Sequence, residues 1–176
     1  AAPRRDRRTS PVAIEEGTLG SMVRGAGAPT NAGPLVDSAD IARIGQHHAL
    51  ELDTLRARAR RLPPTSGDEL ARWITNHVDA VVAEVITLAT TRFEPSSRSI
   101  LDRVMIVALG GYGRRELCPR SDIDLLFWIP EELAGDTTIH GFVNGVLYAL
   151  WDLRFEVGHA VRTTRECIDV ATSDHA

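Results

Sequence analysis

The chain has 176 residues, 43% of them hydrophobic, with a net charge of −4 and a pI near 5.9. That is enough apolar material for one globular domain with a tail, and an acidic balance gives no general electrostatic pull towards nucleic acid. No apolar run approaches the roughly 20 residues of a membrane span, and no apolar stretch follows the basic N-terminus as a signal peptide requires. Composition therefore argues against membrane and nucleic-acid partners. The two cysteines, Cys118 and Cys167, stand far apart and make no metal-ligand pair. They fit a reduced, cytoplasmic setting.

Residues 1–37 hold much of the Pro, Gly and Arg, show no period and read as a disordered tail. The basic stretch Ala1–Arg8 reads as solvated charge rather than as a nucleic-acid contact. A chain that opens on Ala rather than Met reads as a fragment or a processed product. Residues 38–92 read as a helical pair. Ser38 is placed to cap the first helix, with Asp40 in its first turn. Ile41, Ile44, His48, Leu52, Leu55, Ala59 and Leu62 then recur at spacings of three and four, and Pro63-Pro64 ends the run. A second helix opens near Ser66, with the stripe Leu70, Trp73, Ile74, Val78, Val81, Val85 and Leu88, and packs antiparallel on the first. His47, His48 and His77 lie on this pair without a carboxylate or Cys at ligand spacing, so packing or surface roles are expected for them.

The last stretch, 93–176, carries the chemistry. Val104 to Leu109 reads as a buried strand that Gly110 and Gly111 then break. Arg114, Arg115 and Glu116 read as the start of a short helix ended by Pro119. Asp122 to Ile129 reads as a second strand closed by Pro130. Thr137 or Thr138 caps a helix with the stripe Ile139, Phe142, Val143, Val146, Leu147, Leu150 and Trp151. A third strand follows at about 154–161, with Phe155, Val157 and His159 on one face and Arg154, Glu156 and Gly158 on the other. Thr163 and Glu166 have capping-box spacing and open a last helix. Strand, short helix, strand, helix, strand, helix is an α/β (α+β) pattern: a small sheet with flanking helices, preceded by the helical pair.

Ten residues separate Gly111 from Asp122. Asp122 and Asp124, two apart on a strand, point to one face among apolar neighbours. Two such carboxylates resist joint ionisation unless a cation sits between them, and hard oxygen ligands suit Mg²⁺. Gly110, Gly111 and Gly113 let backbone N–H groups approach an anion without a Cβ in the way. A dinucleotide-binding turn fails here for want of a third glycine, and a P-loop fails because the chain contains no lysine. A plain tight turn accounts for the glycines. It does not account for two acids inside an apolar strand, where acids are depleted.

Gly110-Gly111, ten residues, then Asp122-Ile-Asp124 resembles the signature of the DNA polymerase beta-like nucleotidyltransferase superfamily. More narrowly, Gly110 to Leu126, and the later Leu150-Trp-Asp-Leu-Arg-Phe-Glu-Val-Gly-His-Ala-Val-Arg-Thr163, resemble the N-terminal domain of the PII-protein uridylyltransferases. The resemblance covers roughly residues 40 to 175. It implies the polymerase beta-like fold with a small mixed sheet, and a third carboxylate on the next strand. Asp152 and Glu156 are the candidates, and Glu156 is preferred because an acid inside a strand needs a reason. It implies two Mg²⁺ ions held by Asp122, Asp124 and Glu156, and triphosphate contacts from Gly110, Gly111, Gly113, Arg114 and the Ser121 hydroxyl. The donor it implies is UTP, and the acceptor a tyrosine hydroxyl of the PII signalling protein. Residue spacing selects neither uracil nor tyrosine.

The family continues into a His-Asp hydrolase domain and ligand-sensing domains. This chain has no His-Asp dipeptide, so UMP removal and glutamine sensing are not expected of it, and the transferase fold itself is expected to be incomplete at its C-terminal side. The competing readings are an adenylyl-transferring relative acting on glutamine synthetase or another protein, a non-catalytic nucleotide-binding module, and a truncated fragment of a larger regulator.

Overall fold

A computed structural model describes residues 36–61, 63 and 67–173. The tail expected over 1–37 lies outside the described residues as far as 35, as do Leu62, Pro64 and Ser66. At its far end the reading needs correction, because Val36 is buried and joins the core.

Helix α1 spans Ser38–Ala59 and helix α2 spans Gly67–Thr91. The cap of α1 is Asp37, one residue before the expected Ser38, and its carboxylate accepts from the Asp40 N–H at 2.8 Å. Asp37 sits in extended backbone, and its fixed carboxylate reaches back to that N–H. The contacts between α1 and α2 run in opposite sequence directions: Asp37 to Arg92, Arg43 to Glu84, His48 to His77 and Arg58 to Trp73. The helices are therefore antiparallel, as their stripes require. Ile44 of α1 and Val78, Val81, Val82, Val85 and Ala89 of α2 are buried. A short helix α3, Pro95–Leu101, follows, with Pro95 at the first helical position, where its missing N–H costs nothing. The sequence reading did not resolve it.

Strand β1 is Met105–Ala108, the one-turn helix α4 is Gly110–Gly113, and strand β2 is Ile123–Trp128. Helix α5 is Thr137–Asp152, strand β3 is Val157–Arg162, and helix α6 is Thr164–Ser173. The sheet order is β1-β2-β3. β1 pairs antiparallel with β2, and β2 pairs parallel with β3 through the α5 crossover. The sheet is mixed and the chain α+β, as read from the element pattern.

On β2 the odd positions Ile123, Leu125 and Phe127 are buried, while Asp124, Leu126 and Trp128 are half-buried. The odd face meets the helices. Phe127, fully buried in that core, contributes on the order of 1.5–3 kcal/mol by burial alone. Helix α5 supplies Phe142, Val143, Val146, Leu147 and Leu150 to the same core. Its cap is Asp136 rather than Thr137 or Thr138, because the Asp136 carboxylate accepts from both the Thr138 and Ile139 N–H groups. The capping box of α6 is reciprocal: the Thr163 N–H donates to Glu166 at 2.8 Å, and the Glu166 N–H donates to the Thr163 hydroxyl at 3.3 Å.

Three expectations change in the sheet. β1 is an edge strand and only half-buried: Met105 is 57% exposed and Leu109, just beyond it, 39%. An apolar run looks alike whether one face is covered or both, so burial was overestimated. The short helix lies at Gly110–Gly113, not at Arg114–Glu116. β3 begins at Val157, so Glu156 stands one residue before the strand rather than within it. Arg154, with φ of 68°, turns the chain there.

Candidate active site

The glycine turn is a single helical turn. It closes with Gly113 N–H to Leu109 C=O at 2.8 Å and Arg114 N–H to Gly110 C=O at 3.2 Å. Its first N–H groups have no partner one turn back within the helix. The three glycines are not equivalent. Gly110 has φ of +54°, a left-handed conformation that a side chain resists. A Cβ on Gly113 would lie 2.5 Å from the Ala108 carbonyl oxygen, which is backbone and cannot easily yield. A Cβ on Gly111 would meet nothing within 4 Å. Gly113 is thus needed for the chain to turn, and Gly111 is the one that leaves open space over the turn.

Behind the turn, Tyr112 is buried and Asp79 of α2 faces its hydroxyl. Burial first, then Asp79, push its pKa well above the usual tyrosine range. Arg115, at φ of 62°, reaches back to α2, where it contacts Asn76 and lies 3.5 Å from Asp79. Asn76 and Asp79 anchor the glycine turn to the helical pair. Sequence reasoning missed both, because a polar residue between the apolar positions of a helix looks like solvated surface. Arg114 is instead exposed and, among the described residues, pairs only with Glu116, two residues on, at 2.8 Å. A pair so exposed holds weakly, so Arg114 can swing to another anion, whereas Arg115 is tied to α2.

Asp124 lies on the half-covered face of the sheet, beside the turn. A Cβ on Gly110 would stand 2.8 Å from its Oδ2, and a Cβ on Gly158 would overlap its Oδ1. Gly158 is the register partner of Asp124 on β3. The carboxylate therefore fills the space above two bare Cα atoms. Asp122 is exposed and precedes Asp124 by two residues; Glu156 is exposed and precedes Gly158 by two. The pairing continues one residue past the strand start through the Ile123 N–H to Glu156 C=O bond at 2.9 Å. Alternation, if extended one residue ahead of each strand, would carry Asp122 and Glu156 to the side of Asp124. Asp152 ends α5 and lines a groove with Ile41, Leu52, Asp53 and Arg56 of α1, apart from that face. Among the described residues, no three His, Cys, Asp or Glu side chains gather closely enough to hold one ion. β2 opens at Ile123, so Asp122 stands one residue before the strand expected to begin with it. The donor set that fits Mg²⁺ is then Asp124 on the strand and Asp122 just ahead of it, with open solvent beside them, the kind of partial site in which Mg²⁺ keeps several waters.

The Ser121 hydroxyl accepts from the Cys118 N–H at 2.9 Å and keeps its own proton free to donate. Cys118 is an exposed free thiol. The histidines of the helical pair pack: the rings of His48 and His77 stack 4.7 Å apart, His48 Nδ1 lies 2.6 Å from His77 Nε2, and Phe155 touches His48 at 4.8 Å between ring centroids. Among the described residues no helix is long and apolar enough to cross a membrane.

No protein-family model matches the chain, and no solved structure matches it. Curated relatives do. A bifunctional uridylyltransferase/uridylyl-removing enzyme of Azospirillum brasilense is 39% identical over 135 residues, 76% of this chain and 14% of that protein. Its counterpart in Cereibacter sphaeroides is 36% identical over 134 residues, 76% of this chain and 14% of that protein. The enzyme of Phenylobacterium zucineum is 37% identical over 128 residues, 72% and 13% respectively. This is the family that the motifs resemble. The chain spans about a seventh of the length of these uridylyltransferase relatives, so nothing of the uridylyl-removing half of their name transfers to it by overlap alone.

Proposed function

We propose that this chain is the nucleotidyltransferase part of a PII-uridylylating enzyme, acting in the cytoplasm. In the proposed reaction the tyrosine hydroxyl oxygen of the PII protein attacks the α-phosphorus of UTP. A P–O bond to UMP forms, the bond to the bridging oxygen breaks, and pyrophosphate leaves. The observation that carries this reading is the seat of the Asp124 carboxylate, pressed between the glycine turn and its register partner Gly158 on β3. The name of the relatives, uridylyltransferase, supports nucleotidyl transfer and favours UTP as the donor.

Asp122 and Asp124 would hold Mg²⁺, and Glu156 from the β3 side would reach the ion through one of its waters. When bound, Mg²⁺ supplies charge neutralisation on the triphosphate and Lewis-acid activation. The chain's own residues do the positioning. The open side of Gly111 and the first N–H groups of α4 receive phosphate oxygens. Arg114, free to leave Glu116, adds a guanidinium, and the Ser121 hydroxyl donates a further hydrogen bond. The hydroxyl proton of the acceptor passes to a carboxylate on the same face. Positioning and charge compensation account for rate in such transfers, with little covalent work for the protein.

The test incubates the chain with Mg²⁺, PII protein and either UTP or ATP labelled in the α-phosphate. Label on PII from UTP is the expected result. Label from ATP alone points to an adenylyl-transferring relative. Asp122→Asn and Asp124→Asn should each lower transfer by about 100- to 1,000-fold, the scale for loss of one preorganised electrostatic group. Nucleotide binding with unchanged function in both variants would make the chain a non-catalytic binding module.

A further inference from the structure

The Asp124 carboxylate is confined from two directions by atoms that are missing. One wall is Gly110, at the start of the glycine turn; the other is Gly158, opposite Asp124 in the parallel pairing of β2 with β3. A methyl carbon on Gly110 would come within 2.8 Å of Oδ2 and one on Gly158 within 2.3 Å of Oδ1, closer than a Cβ and an oxygen can approach. Gly110 has a second reason to be glycine in its φ of +54°. Gly158 has none: it lies within a strand with no left-handed φ, where any residue fits the backbone and glycine is the weakest strand former. Among the described residues, the only close neighbour of its absent Cβ is Asp124.

We propose that Gly158 is a positioning residue of the active site: its bare Cα completes a slot that holds the Asp124 carboxylate in one rotamer, with Oδ2 turned to the glycine turn and Oδ1 lying over β3. This rests on the nucleotidyltransferase reading for its purpose but not for its geometry. An oxygen so placed faces the turn where phosphate oxygens are received. Freed from the slot, Asp124 has three staggered χ1 wells to occupy, and its carboxylate leaves the turn in two of them. The obstruction a Gly158→Ala methyl would meet is the end of a side chain, not backbone. The fold can therefore accept that methyl by turning Asp124 away. The slot thus predicts an unusual pairing of effects: a substitution that leaves stability equal or raises it, by shrinking the freedom of the unfolded chain, while disabling the metal-holding acid.

The experiment uses the full chain, with Gly141→Ala on α5 as the control glycine substitution, since a Cβ there meets only Phe93 at 3.9 Å. Three measurements are made on wild type and Gly158→Ala: the melting temperature, the χ1 of Asp124 from NMR scalar couplings, and the affinity for Mn²⁺ alone by paramagnetic titration. Expected are a melting temperature no lower than wild type, a single χ1 well in wild type replaced by another in the variant, and Mn²⁺ affinity reduced about 10- to 100-fold, the scale for losing a group that orients a metal ligand. The control should change neither χ1 nor affinity. An unchanged χ1 in Gly158→Ala overturns the proposal, as does a changed χ1 with unchanged Mn²⁺ affinity. If Gly158→Ala unfolds, Asp124→Ser combined with Gly158→Ala decides, because the shorter side chain vacates the slot: recovered melting supports the proposal and continued unfolding overturns it. If wild type binds no Mn²⁺, the nucleotidyltransferase reading fails, and χ1 still decides whether the slot exists.

Discussion

At the scale of single residues, the glycine turn separates into parts that sequence treats as one. Gly111→Ala meets open space and has no positive φ to strain, so the melting temperature should hold. Transfer from UTP should nonetheless fall if phosphate oxygens approach over that side. Gly113→Ala drives a methyl into the Ala108 carbonyl and should cost about 1–3 kcal/mol of stability, the range for forcing an extra methyl into a packed place. Denaturant unfolding of both variants, beside their transfer rates, checks the contrast. Asp124 was legible in the sequence because an acid inside an apolar strand contradicts the propensity of the element that holds it; the same premise fails for Asp122, which stands one residue before β2. Gly158 was not. A glycine in a strand reads as a weakness or a bulge, and its partner 34 positions earlier is visible only once the register is known. Glu156 was selected as an acid within a strand, and that premise fails because the strand opens one residue later. Its preference over Asp152 now rests on the register instead.

Among the elements, the long amphipathic helices were the most legible, and their ends the least. Stripes at spacings of three and four placed α1, α2 and α5 correctly. Asp37 and Asp136 displaced the expected Ser and Thr caps by winning the competition for the first-turn N–H groups. Strand β1 and the region of α4 were harder, since the six apolar residues before Gly110 carry no periodicity that tells an edge from a centre. The helical pair carries a prediction of its own. His48 is held to a pKa of about 4 by burial first, then by the nearby His77 and His47; His77 is also lowered by burial, with Glu51 opposing. An imidazole that resists protonation in the fold binds fewer protons there than in the unfolded chain, so acid favours unfolding. The contribution is complete above about pH 6.5, the unperturbed histidine value, and declines as the pH falls towards 4. Melting temperature should drop across that window, and the drop should flatten in His48→Gln with His77→Gln. The charged and titratable residues around the pair, Asp53, Arg56, Asp152 and Arg154 by His48 and His47, Glu51 and Arg58 by His77, stay as they are in both proteins, so the difference isolates His48 and His77.

For the whole molecule, the sheet is asymmetric. One face meets α5 and the helical pair; the other bears Asp124 and Asp122 together with Met105, Leu109, Leu126 and Trp128, and is only half covered. An apolar surface of that kind binds hydrophobic dyes. Met105→Gln with Leu109→Gln should lower 1-anilinonaphthalene-8-sulfonate fluorescence relative to the unmodified chain, with far-UV circular dichroism unchanged. Equal fluorescence would mean the patch is covered in solution.

The parallel pairing of β2 with β3 has a temporal consequence. Antiparallel β1 and β2 can meet early, because a short connection joins them, whereas β3 must wait for the α5 crossover to fold and swing it alongside. The groove that seats Asp124 does not exist until then, since one of its walls arrives last. A chain emerging from the ribosome thus carries Asp124 well before it can aim it, and the seat of that carboxylate forms with the docking of β3 rather than with the first collapse.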